Sequence, residues 1–293
     1  MPFNMVRDYI LLLRPHQYTK NLMLFLPAFF GLRIGDIQVV LSILIGFVAF
    51  SLIASGVYIL NDYRDRKEDA AHPIKKDRPL ASGRVSVRIA FLLMGFVIAV
   101  GLGIFVFLDK YALYLVTAYV FLNVLYTFRL KHIAIIDISI IALGFVIRVA
   151  VGSMIVKPTI PLSMWLILMM FLGALFLALA KRRDDVLLAS DGMKVRKAID
   201  GYNLEFINSA MVVMASVLIV AYISYTISPE IQEKFNSHNL YITVFFVILG
   251  VLRYMQITFV EEKSGSPTKI LVGDLFLQVV ILCWIIAFAI LIY

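Results

Sequence analysis

Nine apolar stretches constrain the fold of this chain more than any other feature, because each is roughly as long as a helix that crosses a bilayer, about 20 residues. They lie at residues 18–33, 38–60, 86–108, 111–129, 134–155, 161–180, 205–227, 240–260 and 272–292. The chain is 62% hydrophobic and only 16% charged, whereas soluble domains are about a quarter charged. The sequence therefore predicts an all-α integral membrane bundle of nine transmembrane helices. The first stretch is the weakest, since Pro15 and Pro27 interrupt its helical pattern.

The positive charges predict the orientation of this bundle. If the N-terminus is cytoplasmic, 22 of the 27 Lys and Arg residues fall on inner segments, four fall on outer segments and Arg148 lies within a span. Cytoplasmic loops carry an excess of Lys and Arg, so we expect a cytoplasmic N-terminus and a location in the plasma (inner) membrane. Topology then accounts for the net charge of +8, and we expect membrane lipid, not nucleic acid, around the protein.

The organisation of the chain favours one domain over residues 1–293. There is no internal repeat, and Cys283 is the only cysteine, which excludes an internal disulfide and a cysteine metal site. The inner connections after the second and sixth stretches are long, roughly twenty residues each. Loops of that length facing one compartment suggest a cap over a central cavity.

An acidic segment, N-D-Y-R-D-R-K-E-D at residues 61–69, follows the second apolar stretch. At about 100° per residue, Asn61, Asp62, Asp65 and Asp69 share one arc of a continued helix. Carboxylates held so close repel one another unless a cation lies between them, and hard oxygen ligands suit Mg²⁺, which bridges to phosphates. We predict a catalytic Mg²⁺–diphosphate site with the three aspartates as metal ligands and Asn61 at the substrate. The alternative, a solvated loop of mixed charge, fits less well because the interleaved basic residues point mostly away.

Further cations could meet phosphate oxygens. Arg78 is favoured as a phosphate ligand, whereas anchoring at the membrane surface explains Lys75 equally well. Arg148 within a span costs at least a few kcal/mol if unpaired; it is either a phosphate ligand or half of a buried pair, with Asp137 as partner if the helix bends. Lys20 is a substrate ligand or a snorkelling lysine.

Residues 61–83, together with L-R-P-H-Q-Y-T-K-N at 13–21, resemble the UbiA superfamily of intramembrane prenyltransferases. Members are nine-helix bundles whose N-D-x-x-D-x-x-x-D motif holds Mg²⁺ and a diphosphate. Members that prenylate aromatic rings carry a second aspartate-rich motif after the sixth helix, where this chain has A-L-A-K-R-R-D-D at 178–185. That segment resembles the decaprenyl-phosphate phosphoribosyltransferase branch, as do residues 126–137, the G-F-x-x-R of 144–148 and S-G-S-P-T at 264–268.

The resemblance implies that phosphoribosyl diphosphate is the donor and a polyprenyl phosphate the acceptor. It implies substrate contacts from Tyr126, Lys131 and Asp137. We expect the lipid phosphate to be held by a basic segment that comprises Lys181, Arg182 and Arg183; the alternative is a cytoplasmic anchor.

Other functions stay open at this point. Asp184 and Asp185 depart from the branch and leave room for a polyprenyltransferase that moves a prenyl group from a prenyl diphosphate to an aromatic acceptor. A lipid carrier is disfavoured, since transporters often show repeats and broken helices. The sequence leaves the oligomeric state open, a homo-oligomer included.

Overall fold

The computed structural model of the protein describes residues 2–71, 75–190, 197–263, 265 and 267–292. All regular elements within these ranges are helical, which confirms the predicted all-α class. The α-helices are α1 (Pro2–Leu13), α2 (Leu26–Phe30), α3 (Ile37–Ala70), α4 (Val87–Leu108), α5 (Lys110–Phe128), α6 (Ile136–Met154), α7 (Met164–Ser190), α8 (Leu204–Ile227), α9 (Pro229–Phe235), α10 (Val244–Phe259), α11 (Pro267–Gly273) and α12 (Leu275–Ile292). Short 3₁₀ segments lie at Pro15–Phe25, Lys75–Asp77, Leu130–His132, Lys197–Gly201 and Leu240–Thr243. Residues 72–74, Ser264 and Ser266 of the quoted motifs lie outside the described residues.

Eight helices in the described part of the chain are long and apolar enough to cross a membrane: α3 to α8, Leu240–Phe259 and α12. They coincide with eight of the nine predicted stretches. The first stretch, 18–33, is not among them, because it forms a 3₁₀ segment as far as Phe25 and then the five-residue α2. Pro15 and Pro27 cannot donate backbone hydrogen bonds, which limits a continuous α-helix here. The count of nine is therefore not confirmed.

Polar residues fix where several of the long helices begin. The carboxylate of Asp36 accepts hydrogen bonds from the backbone N–H groups of Gln38 and Val39 at the start of α3. Ser86, Asp109 and Asn203 cap α4, α5 and α8 in the same way. Such side chains satisfy N–H groups that have no partner in the first turn of a helix. Each of these long apolar runs thus begins at a defined residue.

The chain divides into two compact units, and the first comprises residues 1–131 and 143–162. In this unit α3 packs mainly on α4 and also on α5, α1 and the segment Pro15–Phe25. Its apolar core includes Phe50, Ile53, Phe105 and Val116, all buried. Gly152 allows α6 to approach Pro15–Phe25 closely, since a Cβ there would lie 2.1 Å from the carbonyl oxygen of Leu24.

The second unit comprises residues 132–142 and 163–293. In it α7 packs on α8, and α10 packs on α12 and α8. Its core includes Phe176, Ile207, Met211 and Tyr254. The expectation of a single domain and the orientation of the N-terminus stay predictions.

Candidate active site

The acidic motif occupies the last turns of α3, as predicted. Asp62 and Asp69 are buried and Asp65 is half-buried, whereas Arg64 and Lys67 between them are exposed. The pattern follows the helical repeat, so the carboxylates share the inward face of this end of α3. The predicted separation of acidic and basic side chains around the helix is confirmed for these residues.

Asp62 is bound by two arginines that are distant in sequence. Arg14 Nε donates to Asp62 Oδ2 at 3.2 Å, and the same guanidinium also bonds Asp62 Oδ1. Arg78 Nη1 donates to Asp62 Oδ1 at 3.2 Å and to Asp69 Oδ2 at 2.6 Å. Arg78 therefore bridges Asp62 and Asp69, whereas Arg14 binds both oxygens of Asp62. The second arrangement is the bidentate geometry that guanidinium groups favour with oxyanions.

Asp65 and Asn61 have partners at the end of α5 and in the 3₁₀ segment Leu130–His132 that follows it. Lys131 Nζ bonds Asp65 Oδ1, and the side chain of Lys131 is only 6% exposed. Thr127 Oγ1 donates to Asn61 Oδ1 at 2.5 Å, which fixes the orientation of the amide. Three motif carboxylates thus face three cations, so the charges of this cluster balance.

The residues fit Mg²⁺ by the chemistry of their donors. Three carboxylates and an amide oxygen on one helix face are hard oxygen ligands of the kind that Mg²⁺ takes together with phosphate. Within the described residues, no three Asp, Glu, His or Cys side chains converge closely enough to hold a metal ion, and each motif carboxylate forms an ion pair with a cation. The arginines and the lysine that neutralise these carboxylates are themselves ligands suited to phosphate.

Arg148 is buried in the first unit, at 4% exposure. Its guanidinium donates to Asn21 Oδ1 at 2.7 Å, to the Gly144 carbonyl at 2.7 Å and to Tyr119 Oη at 3.1 Å. It also lies 4.9 Å from the ring centroid of Phe50, a cation–π distance. These neutral partners are not the buried ion pair with Asp137 that the sequence suggested.

Asp137 instead pairs with Arg182 in the second unit. Arg182 Nε donates to Asp137 Oδ2 at 2.7 Å, and Arg182 Nη1 bonds Asp185. The side chains of Arg182 and Asp137 are 1% and 0% exposed. The pairing of Asp137 with Arg148, which the sequence allowed only if the helix bends, does not form, because sequence periodicity does not say which neighbouring element a buried side chain faces.

Tyr202 completes this buried network. Its hydroxyl donates to Asp137 Oδ1 at 2.7 Å and accepts the backbone N–H of Ile135 at 2.7 Å. Ile135 has φ 69°, a conformation that a β-branched residue rarely adopts, and this hydrogen bond holds it. Burial and the hydrogen bond to Asp137 raise the pKa of Tyr202, so the hydroxyl stays protonated at neutral pH.

The three cations of the basic segment differ in accessibility. Lys181 is exposed, whereas Arg182 and Arg183 are buried. Arg183 donates to Asn208 Oδ1 at 3.1 Å and to the Thr258 carbonyl at 2.7 Å. Of the three, Lys181 is the one whose side chain is exposed to a ligand that arrives from outside.

The other predicted ligands are Lys20, in the 3₁₀ segment Pro15–Phe25, Lys75, at the start of the turn that leads to Arg78, and Tyr126, in the last turn of α5; all three are half-buried. Their roles stay predictions. Sequence reasoning missed Arg14 and Thr127 as partners of the motif. No spacing rule connects Arg14 with Asp62; in the structure Arg14 precedes the 3₁₀ segment and adopts the left-handed conformation, φ 54° and ψ 57°.

Comparison with known proteins gives concordant results. The UbiA prenyltransferase family model matches residues 23–280. Decaprenyl-phosphate phosphoribosyltransferase of Mycolicibacterium smegmatis is 31% identical, covering 97% of this chain and 92% of its own. The enzyme of the same name from Corynebacterium glutamicum is 30% identical, covering 100% and 89%.

A solved structure shows the same fold. A UbiA homologue from Archaeoglobus fulgidus bound to GPP and Mg²⁺ superposes with a TM-score of 0.70 at 18% identity, covering 97% of this chain and 99% of that one. The family match over most of the length, the relatives and this fold agree with the eight apolar helices of a multi-pass membrane protein. The chain belongs to the UbiA prenyltransferase family.

Proposed function

We propose that this protein transfers a 5-phosphoribosyl group from phosphoribosyl diphosphate to a polyprenyl phosphate and releases diphosphate, in a Mg²⁺-dependent reaction. The observation that carries the proposal is the likeness, over almost the whole chain, to relatives named decaprenyl-phosphate phosphoribosyltransferase. The basic segment at residues 181–183, where aromatic-prenylating members have acidic residues, supports a phosphorylated lipid as acceptor.

The donor would bind at the acidic end of α3. A homologue of the same fold is bound to Mg²⁺; in this chain Asp62, Asp65 and Asp69 would hold the ion, and Thr127 keeps Asn61 oriented beside them. When bound, Mg²⁺ neutralises negative charge that develops on the departing diphosphate.

The cations that now bind the motif aspartates supply further charge for the donor. Arg14, Arg78 and Lys131 lie within hydrogen-bond reach of the carboxylates, so small side-chain rotations would bring them onto diphosphate oxygens. Cations held beside the departing diphosphate stabilise the charge that forms in the transition state.

The chemistry needs no general base. A phosphate oxygen of the lipid forms a bond to the anomeric carbon of the ribose, and the bond from that carbon to the diphosphate oxygen breaks, with its electron pair leaving on diphosphate. A lipid phosphate is already ionised at neutral pH. We assign Lys181 to the lipid phosphate because its side chain is exposed, and Arg182 and Arg183 to the buried support of the same turn of α7. Phosphoribosyl diphosphate is a soluble metabolite, which supports a cytoplasmic active site in the plasma membrane.

A transfer assay tests the proposal. Purified protein in detergent receives Mg²⁺, polyprenyl phosphate and phosphoribosyl diphosphate labelled in the ribose, and the lipid fraction is counted. We expect label in the lipid only with all three present. Turnover of a prenyl diphosphate with an aromatic acid, and no labelled lipid, would replace this function with aromatic prenylation.

A variant separates the roles of the two substrates. Lys181→Ala is expected to raise the KM for polyprenyl phosphate by about tenfold, the effect of losing one charge-assisted contact, with the donor KM unchanged. Lys269→Ala, an exposed lysine on α11, is the matched control. An equal effect of both changes would show that only overall surface charge matters.

A further inference from the structure

Helix α1 precedes every membrane-spanning helix of the described chain and is too short to be one. Twelve residues span about 18 Å as a helix, whereas a bilayer core is about 30 Å thick. Leu12 of α1 packs in one cluster with Ala90, in the first turn of α4. Because α4 begins its candidate span at Val87, the C-terminal turn of α1 lies beside the end of a spanning helix, and such ends are where lipid headgroups meet the acyl chains.

The outward face of α1 has the composition of a lipid contact. Val6, Ile10 and Leu11 are 59%, 51% and 45% exposed, and Arg7, between them on the helical wheel, is exposed as well. Apolar side chains around a basic one suit the interface, since the apolar groups enter the acyl boundary and the guanidinium meets headgroup phosphates.

The inward face of α1 holds the loop that carries Arg78. Arg84 Nε donates to Asp8 Oδ1 at 2.9 Å, and Arg84 Nη2 donates to the carbonyl of Asp77, next to Arg78. Leu12 packs against Leu80 and Val85 of the same loop. The backbone N–H of Val85 donates to the Pro79 carbonyl at 3.1 Å, which closes the loop on itself.

A second tie runs from the end of α1 to the same site. Arg14 follows directly after Leu13 and forks onto Asp62. Ser55 Oγ donates to the Leu13 carbonyl at 2.8 Å, which fastens this end of α1 to α3. Both arginines that bind Asp62 are thus positioned through α1.

We propose that α1 is a membrane-interface helix: its Val6–Arg7–Ile10–Leu11 face docks on the lipid surface, and its Asp8–Arg84 ion pair positions the Arg78 loop over the acidic end of α3. Asp8 and Arg84 are positioning residues and touch no motif aspartate. The consequence for the donor rests on the proposed function, whereas the docking on lipid does not.

Lipid contact is tested without any enzymatic reaction. In a Cys283→Ser background, a fluorophore is attached at Ile10→Cys and the protein is reconstituted into vesicles containing lipids with an acyl-chain nitroxide quencher. Leu92→Cys, on the exposed face of α4, is the lipid-facing control, and Lys76→Cys, on an exposed turn, is the solvent-facing control. We expect quenching at position 10 to approach that at position 92. Quenching at position 10 no stronger than at position 76 would overturn the proposal that α1 lies at the membrane interface.

The positioning role is tested by kinetics. Asp8→Asn and Arg84→Gln are each expected to raise the KM for phosphoribosyl diphosphate about fivefold, the worth of a partly exposed ion pair, with the lipid KM unchanged. Asp8→Glu keeps the charge and should restore most of the affinity. An unchanged donor KM in Asp8→Asn, or equal losses in Asp8→Asn and Asp8→Glu, would contradict the positioning role. If the wild-type protein transfers no phosphoribosyl group, the proposed function fails and the quenching result still decides the docking.

Discussion

The buried ion pair between Asp137 and Arg182 makes a quantitative prediction. Arg182→Met removes the cation and leaves Asp137, whose side chain is fully buried, with Tyr202 as its remaining described partner. Breaking a buried pair from one side costs about 3–5 kcal/mol, because it leaves an uncompensated charge. Asp137→Asn costs less, about 1–3 kcal/mol, since Arg182 keeps Asp185 and the amide oxygen can still accept from Tyr202.

The double variant separates loss of charge balance from loss of packing. When Asp137→Asn and Arg182→Met are combined, no charge remains unpaired at position 137, so the double variant should lose less than the sum of the two single losses. We expect a coupling energy of about 1–3 kcal/mol for groups in direct contact.

The assay is unfolding in mixed micelles with increasing SDS, followed by circular dichroism. Lys157→Gln is the control, because Lys157 Nζ lies 2.6 Å from Asp109 Oδ2, a similar distance, yet the lysine side chain is 63% exposed. That change should cost about 0–1 kcal/mol. A loss in Arg182→Met no larger than in this control would refute the argument that burial makes the pair indispensable.

Three further changes have expected outcomes. Asp65→Asn should abolish transfer while circular dichroism shows a folded protein, because the neutral amide weakens metal binding; retained activity would remove Asp65 from the metal ligands. Gly152→Ala should destabilise the folded protein by about 1–3 kcal/mol, because the new Cβ would lie 2.1 Å from the carbonyl oxygen of Leu24. The control, Gly95→Ala, has nothing within 4 Å of its Cβ and should stabilise the protein by up to about 1 kcal/mol. Equal melting temperatures for the two variants would contradict the close approach at Gly152. The hydrogen bond from Arg253 lowers the pKa of Asp274. The pair therefore stabilises the fold above about pH 4, and this stabilisation is lost as the pH falls through the lowered pKa of the folded state. Melting curves of Asp274→Asn should show no such loss at low pH, and identical pH profiles for the variant and the wild-type protein would argue against the pair.

Hydropathy alone predicts most of this fold. Eight of the nine apolar stretches are the spanning helices, because a bilayer imposes both length and apolarity on a helix. The first stretch is not a continuous α-helix, because Pro15 and Pro27 remove backbone hydrogen-bond donors. Counting apolar residues does not detect this local effect. The prolines were visible in the sequence, but the 3₁₀ segment that results was not.

The candidate site could be predicted in part. The helical repeat places Asp62, Asp65 and Asp69 on one face, and the structure has them there. Periodicity within one helix does not fix its rotation relative to other helices, so the side chains that bind these carboxylates could not be predicted from the sequence. Arg14 lies 48 residues from Asp62 in the chain, and no spacing rule connects them.

The same limit explains the basic segment. Three successive cations in the sequence look equivalent, yet a helix turns by about 100° per residue. Arg182 and Arg183 therefore point into the second unit while Lys181 points outward. Residue type predicted charge at this end of α7, and only the packing shows which charge is accessible.

Calorimetric titration of phosphoribosyl diphosphate, with and without Mg²⁺ and without lipid acceptor, tests the central claim that the acidic end of α3 binds a metal-diphosphate donor. We predict binding by the wild-type protein only when Mg²⁺ is present, and a loss of binding heat in Asp62→Asn and Asp69→Asn. Equal binding heats in the variants and the wild-type protein, or binding of phosphoribosyl diphosphate that does not depend on Mg²⁺, would contradict this claim.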